Sequence, residues 1–219
     1  MRWARSVALI SVGTVFAGTA FAGISTTFDT GSEGWDIIDV VGVGDYGTVL
    51  GTYSADWSAV GGNPDGHVSF FDPSNGSFFF RAPAAYLGNQ SAAIGQTLSF
   101  DLFTTDNTFS TDSVVVLVGG APPRIIVAPI AQPAVGVWQS YTTSLDSAGF
   151  RLNNAAGPAV SPGDFASVLG NLQGVYLPGE FAVGQVETTR LDNVALIPEP
   201  ATTLLFAVGV GLAARRHAR

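Results

Sequence analysis

Acidic side chains dominate the residues that could do chemistry in this 219-residue sequence. There is no cysteine and no lysine, and residues 23–197 hold sixteen acidic residues against four arginines. His67 is the one histidine of that segment, so a serine triad lacks a base and a zinc site lacks its usual ligands. So acidic a domain repels nucleic acid, which we exclude as a partner, and suits cations or neutral sugars.

Three acidic residues near the two ends of this segment predict a structural calcium site, the one cofactor that we consider. Calcium is bound by carboxylate and carbonyl oxygens. Asp29 and Glu33 open the segment and Asp192 closes it, and sandwich modules often bring their first and last strands together. The alternative is that these side chains only cap turns.

Tryptophan side chains are the other candidates for binding, because an aromatic face suits the apolar face of a sugar ring. Trp57 and Trp138 are the candidate ligand residues, although core packing is the default for a tryptophan in a strand. Phe28-Asp29-Thr30-Gly31 has the letters of an aspartic-protease site, but the second facing motif that this chemistry requires is absent. Paired carboxylates for sugar hydrolysis stay open among so many acids, and no catalytic residue is named.

Short strands must position these residues. Twenty-seven glycines, twelve prolines and fifteen phenylalanines indicate many strands joined by tight turns. The apolar run 113–118 predicts a central strand with 124–127 as its antiparallel neighbour, and 161–172 predicts one capped helix. The composition and pattern predict an all-β, antiparallel two-sheet sandwich with one short helix. The predicted strands are 25–28, 34–41, 48–53, 57–60, 67–71, 77–80, 97–103, 113–118, 124–127, 138–145, 174–177 and 189–196.

Residues 1–22 have the pattern of a secretory signal peptide. Arg2 and Arg5 form a positive n-region, and residues 6–17 form an apolar h-region. We expect this segment to be removed on export, with the Sec translocon and signal peptidase as partners. The residues of the predicted cleavage site are Ala20, Ala22 and Gly23.

The last residues, 198–219, also have the pattern of an address. A Pro-Glu-Pro sequence precedes an apolar run, 201–214, which is too short to span a bilayer comfortably, and a basic end follows. This order resembles the PEP-CTERM sorting signal of Gram-negative bacteria, which an exosortase-type membrane transpeptidase reads. The resemblance implies transient residence in the inner membrane through a C-terminal transmembrane helix, then delivery to the cell surface or extracellular matrix. The residues of the signal are Pro198, Glu199, Pro200, Arg215 and Arg216.

A second recognisable pattern lies between the two sorting signals. It consists of residues 57–68, the sequence aromatic-x-Ala-Pro-x-x-aromatic-Leu-Gly at 80–88, and Leu191-Asp192-Asn193-Val194. It resembles the laminin B (laminin domain IV) family over most of 28–196. The resemblance implies a jelly-roll β-sandwich akin to carbohydrate-binding modules, found in extracellular matrix proteins and without catalysis. The cysteine-rich repeats that usually surround laminin modules are absent.

The sequence therefore predicts three parts: a signal peptide (1–22), a laminin B-like sandwich (23–197) and a sorting tail (198–219). The predicted function is non-catalytic: a glycan-binding module of an exopolysaccharide or biofilm layer, with exopolysaccharide or a surface glycan as its partner. Two alternatives stay open, a structural matrix or adhesion protein without a ligand site and a glycoside hydrolase.

Overall fold

A computed structural model describes residues 23–41, 48–72, 76–108, 113–182 and 184–197. Except for Gly23, the residues of the predicted signal peptide, its cleavage site and the sorting tail lie outside these ranges. No helix within the described ranges is long and apolar enough to cross a membrane.

Thirteen strands and one α-helix occur in the described residues. The helix, α1, is Pro162–Gly170. The strands are β1 (Ile24–Thr26), β2 (Asp36–Val40), β3 (Val49–Ser54), β4 (Asp56–Ser58), β5 (His67–Phe71), β6 (Ser77–Arg81), β7 (Thr97–Thr104), β8 (Val114–Gly119), β9 (Arg124–Pro129), β10 (Gln139–Ser144), β11 (Arg151–Leu152), β12 (Leu172–Pro178) and β13 (Thr188–Ile197).

The strands form two antiparallel sheets, as predicted. Sheet A has the order β10–β7–β13–β5–β4, and β1 pairs with the far end of β13, where Ile24 lies opposite Leu196. Sheet B has the order β11–β9–β8–β12–β6–β2–β3. The first and last strands of the domain are therefore neighbours, and the predicted pairing of β8 with β9 is confirmed.

The core lies between the sheets and is built from alternate positions of the strands. Leu98, Phe100 and Leu102 of β7 are each at most 3% exposed, because successive side chains of a strand point to opposite faces. In β13 the alternation is interrupted by a bulge between Asp192 and Ala195, after which burial resumes.

Helix α1 begins where it was predicted and ends two residues early. The Oγ atom of Ser161 accepts a hydrogen bond from the backbone N–H of Asp164 at 3.1 Å, which satisfies a free N–H of the first turn. The helix ends at Gly170 because Leu172 already exchanges backbone hydrogen bonds with Gly88 and starts β12. The buried residues of the helix are Phe165, Val168 and Leu169.

The outer faces of the two sheets differ. On sheet B alternate residues point outward but are still buried, since Ile38 and Val40 of β2 are at most 6% exposed. On sheet A the outward positions of the edge strand β10, Ser140, Thr142 and Ser144, are exposed and polar. The outer face of sheet A is therefore polar at its edge strand β10, whereas the outward residues of sheet B are apolar and buried. The buried outward residues of sheet B are Ile38, Val40, Phe79, Val114, Val116 and Val127.

Candidate functional site

Aromatic side chains and an arginine meet on the outer face of sheet A. Arg190 of β13 lies opposite Phe103 of β7, and its guanidinium carbon is 4.7 Å from the centre of the Phe103 ring, a cation–π distance. Trp138, just before β10, has its ring centre 5.7 Å from that of Phe103 and 6.0 Å from that of His67. We call His67, Phe103, Trp138 and Arg190 the aromatic patch.

The patch offers aromatic surface with little positive charge. Phe103, Trp138 and Arg190 are half-buried, whereas His67 is only 5% exposed. Burial lowers the pKa of His67 below its usual 6.5, and the nearby Arg190 lowers it further, so the imidazole is neutral at pH 7. The patch therefore consists of two half-buried aromatic rings and one guanidinium beside a neutral imidazole.

The two tryptophans predicted to bind a ligand have different positions. Trp138 joins the aromatic patch, and its indole N–H donates to the carbonyl oxygen of Gly61 at 3.3 Å. Trp57 lies on β4 opposite the core residue Val68, and its N–H donates to the carbonyl oxygen of Phe28 at 2.6 Å. Trp57 is 42% exposed, so the expected core packing of this side chain is wrong, but its hydrogen bond gives it a role in holding the turn after β1.

Two aspartates beside the patch are covered by amide groups. Asp192 is fully buried, and its two oxygens accept hydrogen bonds from the backbone N–H groups of Asn63 at 2.6 Å and Asn193 at 2.7 Å. Asp101, its cross-strand neighbour, accepts from the side-chain amides of the same two asparagines at 3.1 and 2.8 Å. We call Asp101 and Asp192 the amide-capped pair.

Electrostatics and backbone geometry together explain why the amides are needed. Burial raises the pKa of Asp192, with Asp101 and Asp29 adding to the rise, while the two backbone N–H groups lower it. The Asn63 loop can approach this closely because position 62 is glycine. A Cβ there would lie 2.7 Å from an oxygen of Asp192.

The predicted calcium ligands are brought together only in part. Asp29 lies close enough to Asp192 to affect its pKa, and its carboxylate accepts a hydrogen bond from the hydroxyl of Thr27 at 2.7 Å. Glu33 does not join them: it is exposed, and its charge acts on Tyr86 instead. In the described ranges no three histidine, aspartate or glutamate side chains already surround a metal position.

Four other carboxylates lie between the sheets at one end of the sandwich. Asp39 of β2 lies on the same inward face as the core residue Ile37, two positions earlier. The other three lie just outside strands: Asp72 follows β5, Glu180 follows β12, and Glu187 precedes β13. All four are 1–4% exposed. We call them the inter-sheet cluster. The sequence analysis missed it, although the position of Asp39 two residues after Ile37 was a usable signal.

The two glutamates of the inter-sheet cluster differ in their surroundings. Glu187 accepts from the backbone N–H of Phe181 at 2.6 Å and faces the hydroxyl of Thr104 at 3.3 Å. Burial raises the pKa of Glu187 to about 7. Burial, then the charges of Glu187 and Asp72, raise the pKa of Glu180 to about 9. Because these acids are closed off from solvent, they cannot act on a sugar chain.

Sheet B has a polar groove at one end of its outer face. Arg81 and Asp36 form a two-contact ion pair there, with the Nε–Oδ1 distance at 2.7 Å, and Tyr176 and Gln173 line the same groove. Burial raises the pKa of Tyr176 although Arg81 lowers it. The groove holds a mutually satisfied ion pair, which makes it a poorer candidate than the aromatic patch.

Comparison with known proteins gives a family match over more than half of the chain. The Laminin B (Domain IV) family matches residues 79–198. Laminin subunit gamma-1 of Xenopus tropicalis is 32% identical over 186 residues, which are 82% of this chain and 10% of that protein. The chain thus spans about a tenth of the length of the curated relatives it matches.

One solved laminin domain has the same fold. The L4b domain of human laminin alpha-2 superposes with a TM-score of 0.61 at 14% identity, covering 81% of this chain and 98% of that domain. A family 11 carbohydrate-binding module of Clostridium thermocellum covers 83% of this chain and 97% of its own, at 11% identity and a TM-score of 0.47, too low for any inference. The two-sheet sandwich is therefore shared with a solved laminin domain.

Proposed function

Because this chain belongs to the laminin B (domain IV) family, whose domain is non-enzymatic, we propose that it is a non-catalytic module that binds a neutral glycan. The observation that carries the proposal is the aromatic patch on the outer face of sheet A. Trp138 and Phe103 offer half-buried aromatic rings there, and the side chains of Asn63 and Asn193 beside them supply polar groups. Aromatic faces with a few placed polar groups are the usual composition of a ligand site.

The charge of the domain supports a neutral ligand over an anionic one. Residues 23–197 carry sixteen acids and four arginines, and three of the arginines are held by Asp36, Asp164 or backbone carbonyls. Arg190 is the one in the aromatic patch. A polyanionic glycan would meet one guanidinium among many carboxylates and would be repelled.

A structural module without a ligand site is the second candidate. One observation favours it: the members of the aromatic patch already satisfy one another. Arg190 lies over Phe103, and the Trp138 indole donates to Gly61. The patch could then serve only to anchor the loop that covers the amide-capped pair.

The predicted addresses complete the proposal and are supported by the sequence alone. Export through the Sec translocon, cleavage before Gly23 and recognition of Pro198, Glu199 and Pro200 by an exosortase would deliver the domain to an exopolysaccharide layer. A structural calcium near Asp29 and Asp192 is also proposed. It would have to compete with the two backbone N–H groups that Asp192 accepts from.

Binding of polysaccharides to the full chain tests the proposed function. We expect saturable binding to the exopolysaccharide of the producing cell or to a neutral β-glucan, and none to a uronate polymer of similar length. Trp138→Ala should weaken the affinity up to about tenfold, since aromatic contacts contribute about 0.5–1.5 kcal/mol beyond area burial.

Trp57→Ala is the matched control, because it removes an equally large and partly exposed indole away from the aromatic patch. It should leave the affinity unchanged. Equal losses in both variants would mean that the patch is not the binding surface. No binding to any polysaccharide by the folded protein would leave the structural module as the function.

A further inference from the structure

The polar groove on the outer face of sheet B is built on one cross-strand row of side chains. Asp36 of β2 lies opposite Arg81 of β6, and Arg81 lies opposite Tyr176 of β12. Their neighbours along the strands, such as Ile37 and Phe80, belong to the core between the sheets, so the three side chains point outward. A carboxylate, a guanidinium and a phenol ring therefore lie side by side at cross-strand spacing.

The ring of Tyr176 lies along its own strand and does not stand up from the sheet. A Cβ atom at position 174 would lie 2.6 Å from Cε2 and 2.8 Å from Cζ of this ring, so Gly174 is what leaves room for the ring. The side chain is half-buried and packs against the apolar outer residues of sheet B. It therefore forms an aromatic floor beside the ion pair.

The ion pair has used only part of its hydrogen-bonding capacity. Nε and Nη2 of Arg81 donate to the two oxygens of Asp36, and Nη1 has no acceptor among the described residues. The side chains of Arg81 and Asp36 are 38% and 30% exposed, and each carboxylate oxygen can accept a further hydrogen bond. Because the two charges cancel, the groove is poorly suited to an ion, but it offers a neutral ligand a donor and an acceptor at fixed positions.

The groove has the size of a ligand site. Its volume is about 340 Å³, within the range of about 300–1,000 Å³ that such sites occupy. Pro83, Ala84 and Leu87 add apolar lining. Gln173 also lines the groove, and its amide nitrogen donates to the carbonyl oxygen of Gly120 at 3.2 Å, which leaves the amide oxygen to accept a bond from a ligand.

We propose that this groove is a second site for a neutral glycan, separate from the aromatic patch. A sugar ring would stack on Tyr176, one of its hydroxyl groups would donate to Asp36, and the oxygen of the neighbouring hydroxyl would accept from Nη1 of Arg81. Hydrogen bonds with a charged partner are the stronger ones. An anionic sugar would be repelled by Asp36 and would meet a guanidinium that is already neutralised.

The two sites would lie on opposite faces of the sandwich, because the aromatic patch is on sheet A and the groove is on sheet B. One domain could then bind two glycan chains and link them. The linking rests on the proposed function of the aromatic patch, whereas binding in the groove does not.

NMR titration of the full chain with a neutral β-glucan tetrasaccharide tests the proposal. The amide resonances of Gly174 and Gly61 report the groove and the aromatic patch separately, and we expect both to shift and to saturate. Tyr176→Ala should weaken the affinity measured at Gly174 up to about tenfold and leave the affinity measured at Gly61 unchanged. Tyr176→Phe keeps the ring and should bind as the wild type does.

Tyr53→Ala is the matched control. Tyr53 also lies over a glycine two positions earlier, Gly51, but its ring packs against Phe70 and is not part of the groove lining. This variant should leave both affinities unchanged.

The outcomes separate the groove from the proposed function. Shifts at Gly61 alone, or equal affinities at Gly174 in the wild type and Tyr176→Ala, would overturn the groove as a site and leave the aromatic patch in place. Shifts at Gly174 alone would support the groove and count against the patch. If both sites bind, the wild type should raise the light scattering of a long β-glucan, and Tyr176→Ala should reduce that rise. An equal rise in both proteins would overturn the linking.

Discussion

The amide-capped pair and the inter-sheet cluster are both buried groups of carboxylates, and they are stabilised in different ways. Asp101 and Asp192 are at most 7% exposed, as are the four acids between the sheets. The pair receives hydrogen bonds from Asn63 and Asn193 through their backbone and side chains. In the inter-sheet cluster, Glu187 accepts from the N–H of Phe181 and lies near the Thr104 hydroxyl, whereas Glu180 meets no donor among the described residues.

The difference shows that burial alone does not decide what a carboxylate needs. An ionised group with N–H donors keeps its charge inside a protein, whereas one without them takes up a proton or a cation. The pair can therefore be a fixed structural element. The inter-sheet cluster makes the stability of the fold depend on the pH of the solution.

The largest expected effect is the pH dependence of the free energy of unfolding. The folded pKa values of Glu180 and Glu187, about 9 and about 7, lie above the ordinary value of 4.5. Their contribution is fully present below about pH 4.5 and is lost as pH rises through the folded values, because the unfolded chain releases these protons first. Each such proton changes the free energy of unfolding by about 1.4 kcal/mol per pH unit. Glu180 titrates across this whole range and Glu187 across about two units of it, so we expect a loss of about 6 kcal/mol from pH 5 to pH 8.

Urea unfolding at pH 5, 6, 7 and 8 measures this slope. Glu180→Gln should flatten it to about half. A protein that becomes more stable between pH 5 and pH 8 would show that the inter-sheet cluster is ionised and satisfied in the fold, like the amide-capped pair.

The second effect concerns the amide-capped pair. Asp192→Ala leaves the backbone N–H groups of Asn63 and Asn193 without acceptors under the loop, and we expect it to lower the free energy of unfolding by about 3 kcal/mol. Asp56→Ala, at an exposed position of β4, is the control and should change stability by less than about 0.5 kcal/mol. Similar small losses in both variants would mean that the capping bonds contribute little.

The smallest effect concerns the Thr104 hydroxyl, a donor that lies near Glu187. Thr104→Val keeps the shape of the side chain and removes the hydroxyl that lies 3.3 Å from Glu187 and 2.6 Å from the carbonyl oxygen of Asp106. We expect a loss of about 1 kcal/mol at pH 8, where Glu187 is ionised, and a smaller loss at pH 5. A loss independent of pH would assign the role of Thr104 to Asp106 alone.

The sandwich could be predicted because its central strands follow simple patterns. The alternation of Leu98, Phe100 and Leu102 and the apolar run of β8 each gave a strand in nearly the observed place. Strand β11 has two residues, which is too short for any period, and it forms because β9 offers it a partner. Trp57 is exposed because its short strand β4 lies at the edge of sheet A, and the sequence does not mark that edge.

Apart from Asp39, whose position two residues after Ile37 was a usable signal, the inter-sheet cluster was hidden because Glu180 resembles a turn residue. Glu180 follows Pro178-Gly179, which indicates an exposed turn, but the backbone bond from Asp72 to Glu187 brings this segment into the end of the sandwich. Asp192 was predicted as a calcium ligand, and that role stays a prediction. Its partners were not predicted, since Asn63 is 129 positions away in the chain.

The pairing of β1 with β13 has a mechanical consequence. Because Ile24 lies opposite Leu196, the chain enters and leaves the domain at adjacent points of sheet A. Tension applied between the two ends would open the β1–β13 hydrogen bonds one after another from Ile24 inward, as a zip opens, and would not load them all together. This geometry suits attachment at one corner of the sandwich. If the domain were stretched between two anchors, the β1–β13 pairing would separate at low force.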